Sequence, residues 1–192
     1  MMFAKPVAGL MCLLALGVAQ AVSAQATVRH GEHEMHSGIP HGFKYLPLPS
    51  GPHLAMAIFT PTPESQFPYD AQISVILDKA GPAAAIDSQY NRARDAFKSN
   101  CTGNADARVL AQGTQNNYAY SEWLLTCDAD KSSGKPKFAV MKTIVGQSFV
   151  YAYEYDISTK VDDAAVKVMK DYLDVEGLCD DTSAQHPCQP AN

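Results

Sequence analysis

Three histidines recur every three residues near one end of this sequence, His30, His33 and His36, with His41 and His53 beyond them. Glu32, Glu34 and Met35 stand between them. Neutral imidazole ligates zinc, copper and nickel well, and a thioether adds a preference for reduced copper. On a helical turn, three-residue spacing would put His30 and His33 on nearly the same side. The segment reads as a candidate metal site of His30, His33, His36 and His41, with copper or zinc as the ion. Its stretch His33-Glu34-Met35-His36 is one residue short of the zinc-protease pattern, so it does not place two ligands and a base in that geometry. A solvated polar arm that meets no ion is the competing reading. Protonation near pH 6 is a third role open to such a cluster.

Other segments offer less. Asp128-Ala129-Asp130-Lys131-Ser132-Ser133-Gly134 is rich in oxygen ligands, but its glycine falls at the seventh position and Ala139 stands where a calcium loop needs glutamate. It reads as a polar hairpin loop. Phe149, Tyr151, Tyr153 and Tyr155, with Tyr118, Tyr120 and Trp123 nearby in sequence, could stack on flat ligands, yet strands favour aromatic residues for packing alone. Packing under helices is the expected role. Gly146-Gln147-Ser148-Phe149-Val150 lacks the second glycine of a nucleophile elbow. Catalysis would need His53 or His186 beside a serine or carboxylate, and no motif asks for an enzyme.

The elements that must position these residues begin with a leader. Lys5 is followed by an apolar run from about Val7 to Val18, and then by Val22-Ser23-Ala24, small residues of the kind a signal peptidase reads. Residues 1–24 are expected to be a cleavable signal peptide, with cleavage before Gln25. The run is shorter than the ~20 residues a membrane anchor needs. Cys12 lies inside it behind Leu10-Met11, which does not suit lipidation.

Formal net charge is −5, and loss of Lys5 with the leader makes it −6. A mildly acidic chain without Lys or Arg clusters excludes the basic footprint of a nucleic-acid binder or a membrane-surface patch. Four cysteines remain after the leader: Cys101, Cys127, Cys179 and Cys188. An even set in an exported chain reads as disulfides. The favoured pairing is Cys101–Cys127, tying a helix end to a strand, and Cys179–Cys188, closing a short C-terminal loop. A zinc site is the alternative, without a close Cys-x-x-Cys pair to support it.

Residues 25–52 hold neither a helical nor an alternating apolar period, and they end in Leu46-Pro47-Leu48-Pro49-Ser50-Gly51-Pro52. They are expected to form a flexible His/Pro-rich arm. A single domain is expected over 53–178, followed by a tail at 179–192 that carries the short disulfide loop. Within the domain, 54–60 and 71–77 read as strands, and 83–99 as a helix with Ile86, Tyr90, Ala93 and Phe97 on one stripe. Strands follow at 107–112, 118–127, 137–145 and 149–157. A type II′ turn starting at Gly146 would set Ile144 opposite Phe149 and Lys142 opposite Tyr151, with Lys142 reaching water by its long stem. A helix over 161–175 would be capped by Ser158 or Thr159 and apolar along Val161, Ala165, Val168 and Tyr172.

The expected class is α+β: a largely antiparallel sheet in the order β-β-α-β-β-β-β-α, two amphipathic helices on one face, and disulfide staples. The functional expectation is an exported, non-catalytic interaction module of the bacterial cell envelope, periplasmic or secreted. Its partner would be an envelope protein or a small ligand, with no nucleic acid and no stable membrane anchor. The alternative is a periplasmic copper- or zinc-binding protein that uses the histidine arm.

Overall fold

The computed structural model describes residues 31–35, 42–47, 54–63, 72–79 and 86–188. The expected signal peptide lies outside them. The elements are β1 (Glu32–Met35), β2 (Phe43–Pro47), β3 (Leu54–Pro61), β4 (Gln72–Lys79), α1 (Ile86–Ser99), β5 (Cys101–Gln115), β6 (Tyr118–Asp130), β7 (Lys137–Val145), β8 (Phe149–Ile157), α2 (Asp163–Asp174) and β9 (Gly177–Asp180). From β3 to α2 they follow the expected order.

Two strands come from the segment expected to be a flexible arm, and β9 spans the expected boundary between domain and tail. β2 joins the edge of a seven-stranded sheet in the order β2-β3-β4-β8-β7-β6-β5, antiparallel at every step. β1 pairs with β9 in a separate two-stranded sheet, with His33 opposite Cys179. Neither arm strand shows a clean apolar period, because each is held at a sheet edge by backbone pairing, β2 to the next strand and β1 to one far away in sequence. Both expected disulfides are formed, Cys101–Cys127 and Cys179–Cys188.

The central strands are buried on both faces. On one face Phe138, Val140 and Ile144 of β7 and Tyr151, Tyr153 and Tyr155 of β8 form the main core with Val166, Met169 and Leu173 of α2. On the other, Trp123, Met141 and Ala152 pack against Ile86, Tyr90 and Ala93 of α1. The helices therefore cover opposite faces of the sheet, not one face as expected. The reason is that β6, β7 and β8 carry apolar residues at odd and even positions alike, so each face needs its own cover.

The aromatic stripe of β8 is core, as expected, but its register differs. Val145 faces Val150, Ile144 faces Tyr151, Lys142 faces Tyr153 and Val140 faces Tyr155. The turn is centred on Gln147 and Ser148, closed by the Gly146 N–H donating to the Phe149 carbonyl at 2.9 Å. Moving a turn by one residue moves cross-strand partners by two, which leaves every side chain on its expected face. Gly146 is not among the positive-φ glycines, so the type II′ reading does not hold. Its missing Cβ serves close approach: Glu32 of β1 accepts from the Gln147 and Ser148 amides, and a Cβ at Gly146 would collide with that carboxylate. At the β5–β6 hairpin, Asn116 and Asn117 take φ of 48° and 64°, the two-residue type I′ turn that asparagine tolerates.

α2 is rotated relative to the expected stripe. Its buried residues are Val166, Met169 and Leu173, while Val161 and Val168 are exposed, and its N-cap is Asp162, whose side chain accepts from the Ala164 amide at 2.8 Å. Of the expected stripe, Ala165 and Tyr172 are partly buried against the core, Tyr172 edge-on to Tyr155 at 6.2 Å, so the rotation is partial. The C-terminal end is fixed by Lys142, which does not reach water and is about 1% exposed. Its Nζ donates to the carbonyls of Leu173 (2.8 Å), Asp174 (3.3 Å) and Glu176 (2.7 Å) and to Gln115 Oε1 (2.8 Å). These carbonyls lie at the end of the helix, where the Leu173 carbonyl also accepts from the Glu176 amide, and a cation there meets the negative end of the helix dipole.

Glu122, fully buried opposite Lys142 in register, completes the set at 3.9 Å from that ammonium and 2.9 Å from Lys170 Nζ. Burial raises the Glu122 carboxyl pKa against the pull of Lys170. Burial likewise lowers that of Lys142, with Glu122 and Asp174 opposing it. Replacing Lys142 by methionine keeps the volume but strands Glu122 and the helix-end carbonyls. Lys142→Met is expected to lower unfolding free energy by about 3 kcal/mol or more, measured by urea denaturation. A loss under ~1 kcal/mol would contradict this role.

Candidate functional site

α1 sits on its sheet face differently from α2. Its stripe is the expected one, yet none of its residues is fully buried. Tyr90 provides much of the grip: its ring lies 5.1 Å from that of Trp123 and its hydroxyl donates to the Ala107 carbonyl at 2.9 Å. A groove of about 880 Å³ lies between the helix and the sheet, lined on the helix side from Gln89 to Phe97. Leu125, Met141, Val150 and Ala152 make an apolar floor, and Phe97 of α1 lines the groove with them.

Polar groups stand at one end of this floor. Glu154 lies beside Met141 in the β7–β8 register. Lys137 Nζ holds Asp156 Oδ1 at 2.7 Å and lies 5.7 Å from the centre of the Phe97 ring. Burial, then the charge of Asp156 and a hydrogen bond to it, push the Glu154 carboxyl up to about 8 against the opposing effect of Lys137. At neutral pH Glu154 thus presents a protonated carboxyl, a hydrogen-bond donor as well as an acceptor, at the margin of an apolar floor. The rim is set by the β6–β7 loop, where Asp130 Oδ1 accepts from the Ser132 and Ser133 amides and hydroxyls. The loop read as polar in the sequence is thereby tied down locally. Lys131 Nζ closes it onto the end of α1 by donating to the Ser99 carbonyl at 2.6 Å.

The sequence pointed to histidines instead. Of the candidate ligands, His33 is described, and His30, His36 and His41 lie outside the described residues, as does His53. His33 is set by the β1–β9 pairing against the C-terminal disulfide, with Nε2 3.3 Å from Cys179 Sγ and 3.6 Å from Cys188 Sγ. His186 is buried, stacked on Tyr118 with ring centres 4.1 Å apart, and its Nδ1 is 2.8 Å from the Asn116 carbonyl oxygen. Burial first, and then the charges of Glu32 and Asp180, push the Tyr118 hydroxyl up to about 12. Glu154 and Lys137 were missed because their face of β8 read as the wet one. Trp123 and Met141 share that face in register, and their size was the available signal that it is covered.

A mostly antiparallel sheet with one helix on each face, two disulfides and a groove under one helix places the chain in the α+β class. No protein-family model matches the sequence, and no curated protein does. Among solved structures, the fold is similar to that of PsbP (CyanoP) from Synechocystis sp. PCC 6803, at TM-score 0.50 and 11% identity, over 81% of this chain and 96% of that one. It is similar at the same score and identity to the Ran-binding protein Mog1p of Saccharomyces cerevisiae, over 80% of this chain and 98% of that one. LpqN, involved in cell envelope biogenesis of Mycobacterium tuberculosis, matches at TM-score 0.42 and 17% identity, over 77% of this chain and 90% of that one. At 11% identity the likeness to PsbP and to Mog1p is one of fold.

The groove carboxyl makes stability depend on pH. A carboxyl whose pKa is higher in the folded than in the unfolded chain keeps its proton in the native state across the window between the two values. Its contribution to stability therefore falls as pH rises from the ordinary carboxylate range to about 8. Glu154→Gln keeps the shape without the ionisation. The variant is expected to match the parent near pH 4 and to exceed it at about pH 8.5, by on the order of 2 kcal/mol, in urea denaturation at both pH values. An equal effect at both would contradict the assignment.

Proposed function

We propose that this chain is an exported, non-catalytic binding module of the bacterial cell envelope, which takes a partner through the groove between α1 and the sheet. The groove carries the reading. It joins an apolar floor to a few polar groups at its margin, the composition of sites that hold ligands by burial and orient them by hydrogen bonds. Its occupant is an apolar side chain or small molecule with a hydrogen-bonding group placed to meet Glu154. The helix that roofs it has no fully buried residue, so it can adjust to an occupant while the main core under α2 stays closed.

Export is supported by the leader pattern of residues 1–24 and by two disulfides, which form and persist in oxidising compartments. Among the described residues no helix is long and apolar enough to cross a membrane. The fold of a Ran-binding protein is compatible with a binding role, by analogy of fold alone.

A photo-crosslinking residue at Ala96, which lines the groove, tests the reading in the host, with the same residue at exposed Val168 on α2 as control. The expected result is a discrete adduct from Ala96 in the envelope or secreted fraction, absent from Val168 and abolished when Ala152→Trp fills the floor. Equal labelling from both positions would overturn the groove reading, and adducts confined to the cytosol would overturn export.

A further inference from the structure

We propose that His33, Cys179 and Cys188 form a redox-gated site for a thiophilic metal ion, Zn²⁺ or Cu⁺, shut while the disulfide is intact and opened by its reduction. The three side chains bring their nitrogen and sulfur atoms within 4.8 Å of one another. None of them lines the groove under α1, so the inference stands apart from the binding reading.

The imidazole is oriented as a metal ligand is. Its Nδ1 lies 2.8 Å from the Gly31 carbonyl oxygen. A carbonyl only accepts, so Nδ1 carries the hydrogen and Nε2 of the neutral ring presents its lone pair. A backbone carbonyl on the far nitrogen is the usual outer-shell partner of a ligating histidine. Nε2 is the atom that faces the two sulfurs, at 3.3 and 3.6 Å. Gly31 is itself held, its amide donating to Asp181 Oδ1 at 2.6 Å. Strand pairing sets the rest, since His33 stands directly opposite Cys179.

The spacing suits an ion once the sulfurs are free. With zinc–sulfur bonds near 2.3 Å and zinc–nitrogen bonds near 2.0 Å, a tetrahedral site separates nitrogen from sulfur by about 3.6 Å and sulfur from sulfur by about 3.8 Å. The histidine nitrogen already stands at that range from both sulfurs. Rotation of the cysteine side chains opens the remaining separation. Two thiolates and an imidazole are a donor set that zinc and reduced copper both accept, and three protein ligands leave a position open for water or a transferred ligand.

The gate is thiol–disulfide exchange with a dithiol reductant. Cys179 is buried, whereas Cys188 is partly exposed beside a surface depression of about 350 Å³ lined also by Asp181 and Ser183. One thiolate of the reductant attacks Cys188 Sγ and expels Cys179 as thiolate. The second thiolate of the reductant then resolves the mixed disulfide and releases Cys188. Two electrons and two protons pass to the cysteines, and the reductant leaves as its own disulfide. The ion then displaces the two thiol protons without changing its own oxidation state.

The test uses the mature chain with Co²⁺ as probe, because thiolate-to-cobalt charge transfer absorbs in the near ultraviolet and histidine-only binding does not produce it. The band is expected in protein reduced with a phosphine and absent from oxidised protein. In reduced His33→Gln the affinity falls by at least the ~10–100-fold that loss of an outer-shell partner costs. In reduced Cys179→Ser the band weakens although Cys101 and Cys127 remain. Peptide mapping gives a second readout that needs no variant: Zn²⁺ should protect Cys179 and Cys188 of the reduced protein from alkylation. Unchanged alkylation at both, or an equal band and affinity in His33→Gln, would overturn the site.

Discussion

An ammonium group with almost no access to water is the point around which the main core is arranged. Lys142 sits at the centre of β7, on the face that carries the aromatic rows, and its charge has to be met inside the protein. The carbonyls of Leu173, Asp174 and Glu176 at the end of α2 meet it, with Gln115 from the end of β5 and Glu122 from β6. The position of α2 follows from this. Its C-terminus must stop over Lys142, which turns Val166, Met169 and Leu173 onto the sheet and leaves Val168 outside. A buried charge of this kind is costly unless all its partners are present, so it disfavours other seatings of the helix.

The opposite face has no such anchor. α1 is held by packing of Ile86, Tyr90 and Ala93 on Trp123, Met141 and Ala152, by the Tyr90 hydroxyl and the Lys131 bond to Ser99, and by the Cys101–Cys127 staple, which fastens the strand that follows it to β6. The two helices thus differ in kind: one is pinned by a buried polar network, the other rests on a few contacts above a groove. A sheet closed firmly on one face and loosely on the other keeps its main core, the one under α2, when the loose cover moves. That asymmetry is the physical basis for assigning binding to the α1 side.

Much of this was legible in the sequence. Period-two alternation in β8, the stripe of α1, the order of the elements from β3 to α2 and both disulfide pairings follow from local pattern and cysteine spacing. The parts that were not legible depend on contacts remote in sequence. Glu32 and His33 sit in a segment with no regular period, yet Glu32 caps the β7–β8 turn and His33 meets a disulfide about 150 residues away. Lys142 read as a snorkelling surface residue because nothing local announces that the end of a helix will lie over it. Glu154 read as wet for the corresponding reason, its cover being a helix that precedes it by several strands. For the site, the sequence supplied His33 and the Cys179–Cys188 pair but not their meeting, and it supplied Phe97 and the polar loop of the groove's rim but not the floor or Glu154.

Amide hydrogen exchange tests the central asymmetry most directly. Amides of α1, Ile86–Ser99, are expected to exchange through a local opening far less costly than global unfolding. Those of α2, Asp163–Asp174, and of the central strands should exchange only near the global limit. Protection of α1 equal to that of α2 would contradict the account, since it would mean that the groove has a fixed roof and the two faces are closed alike.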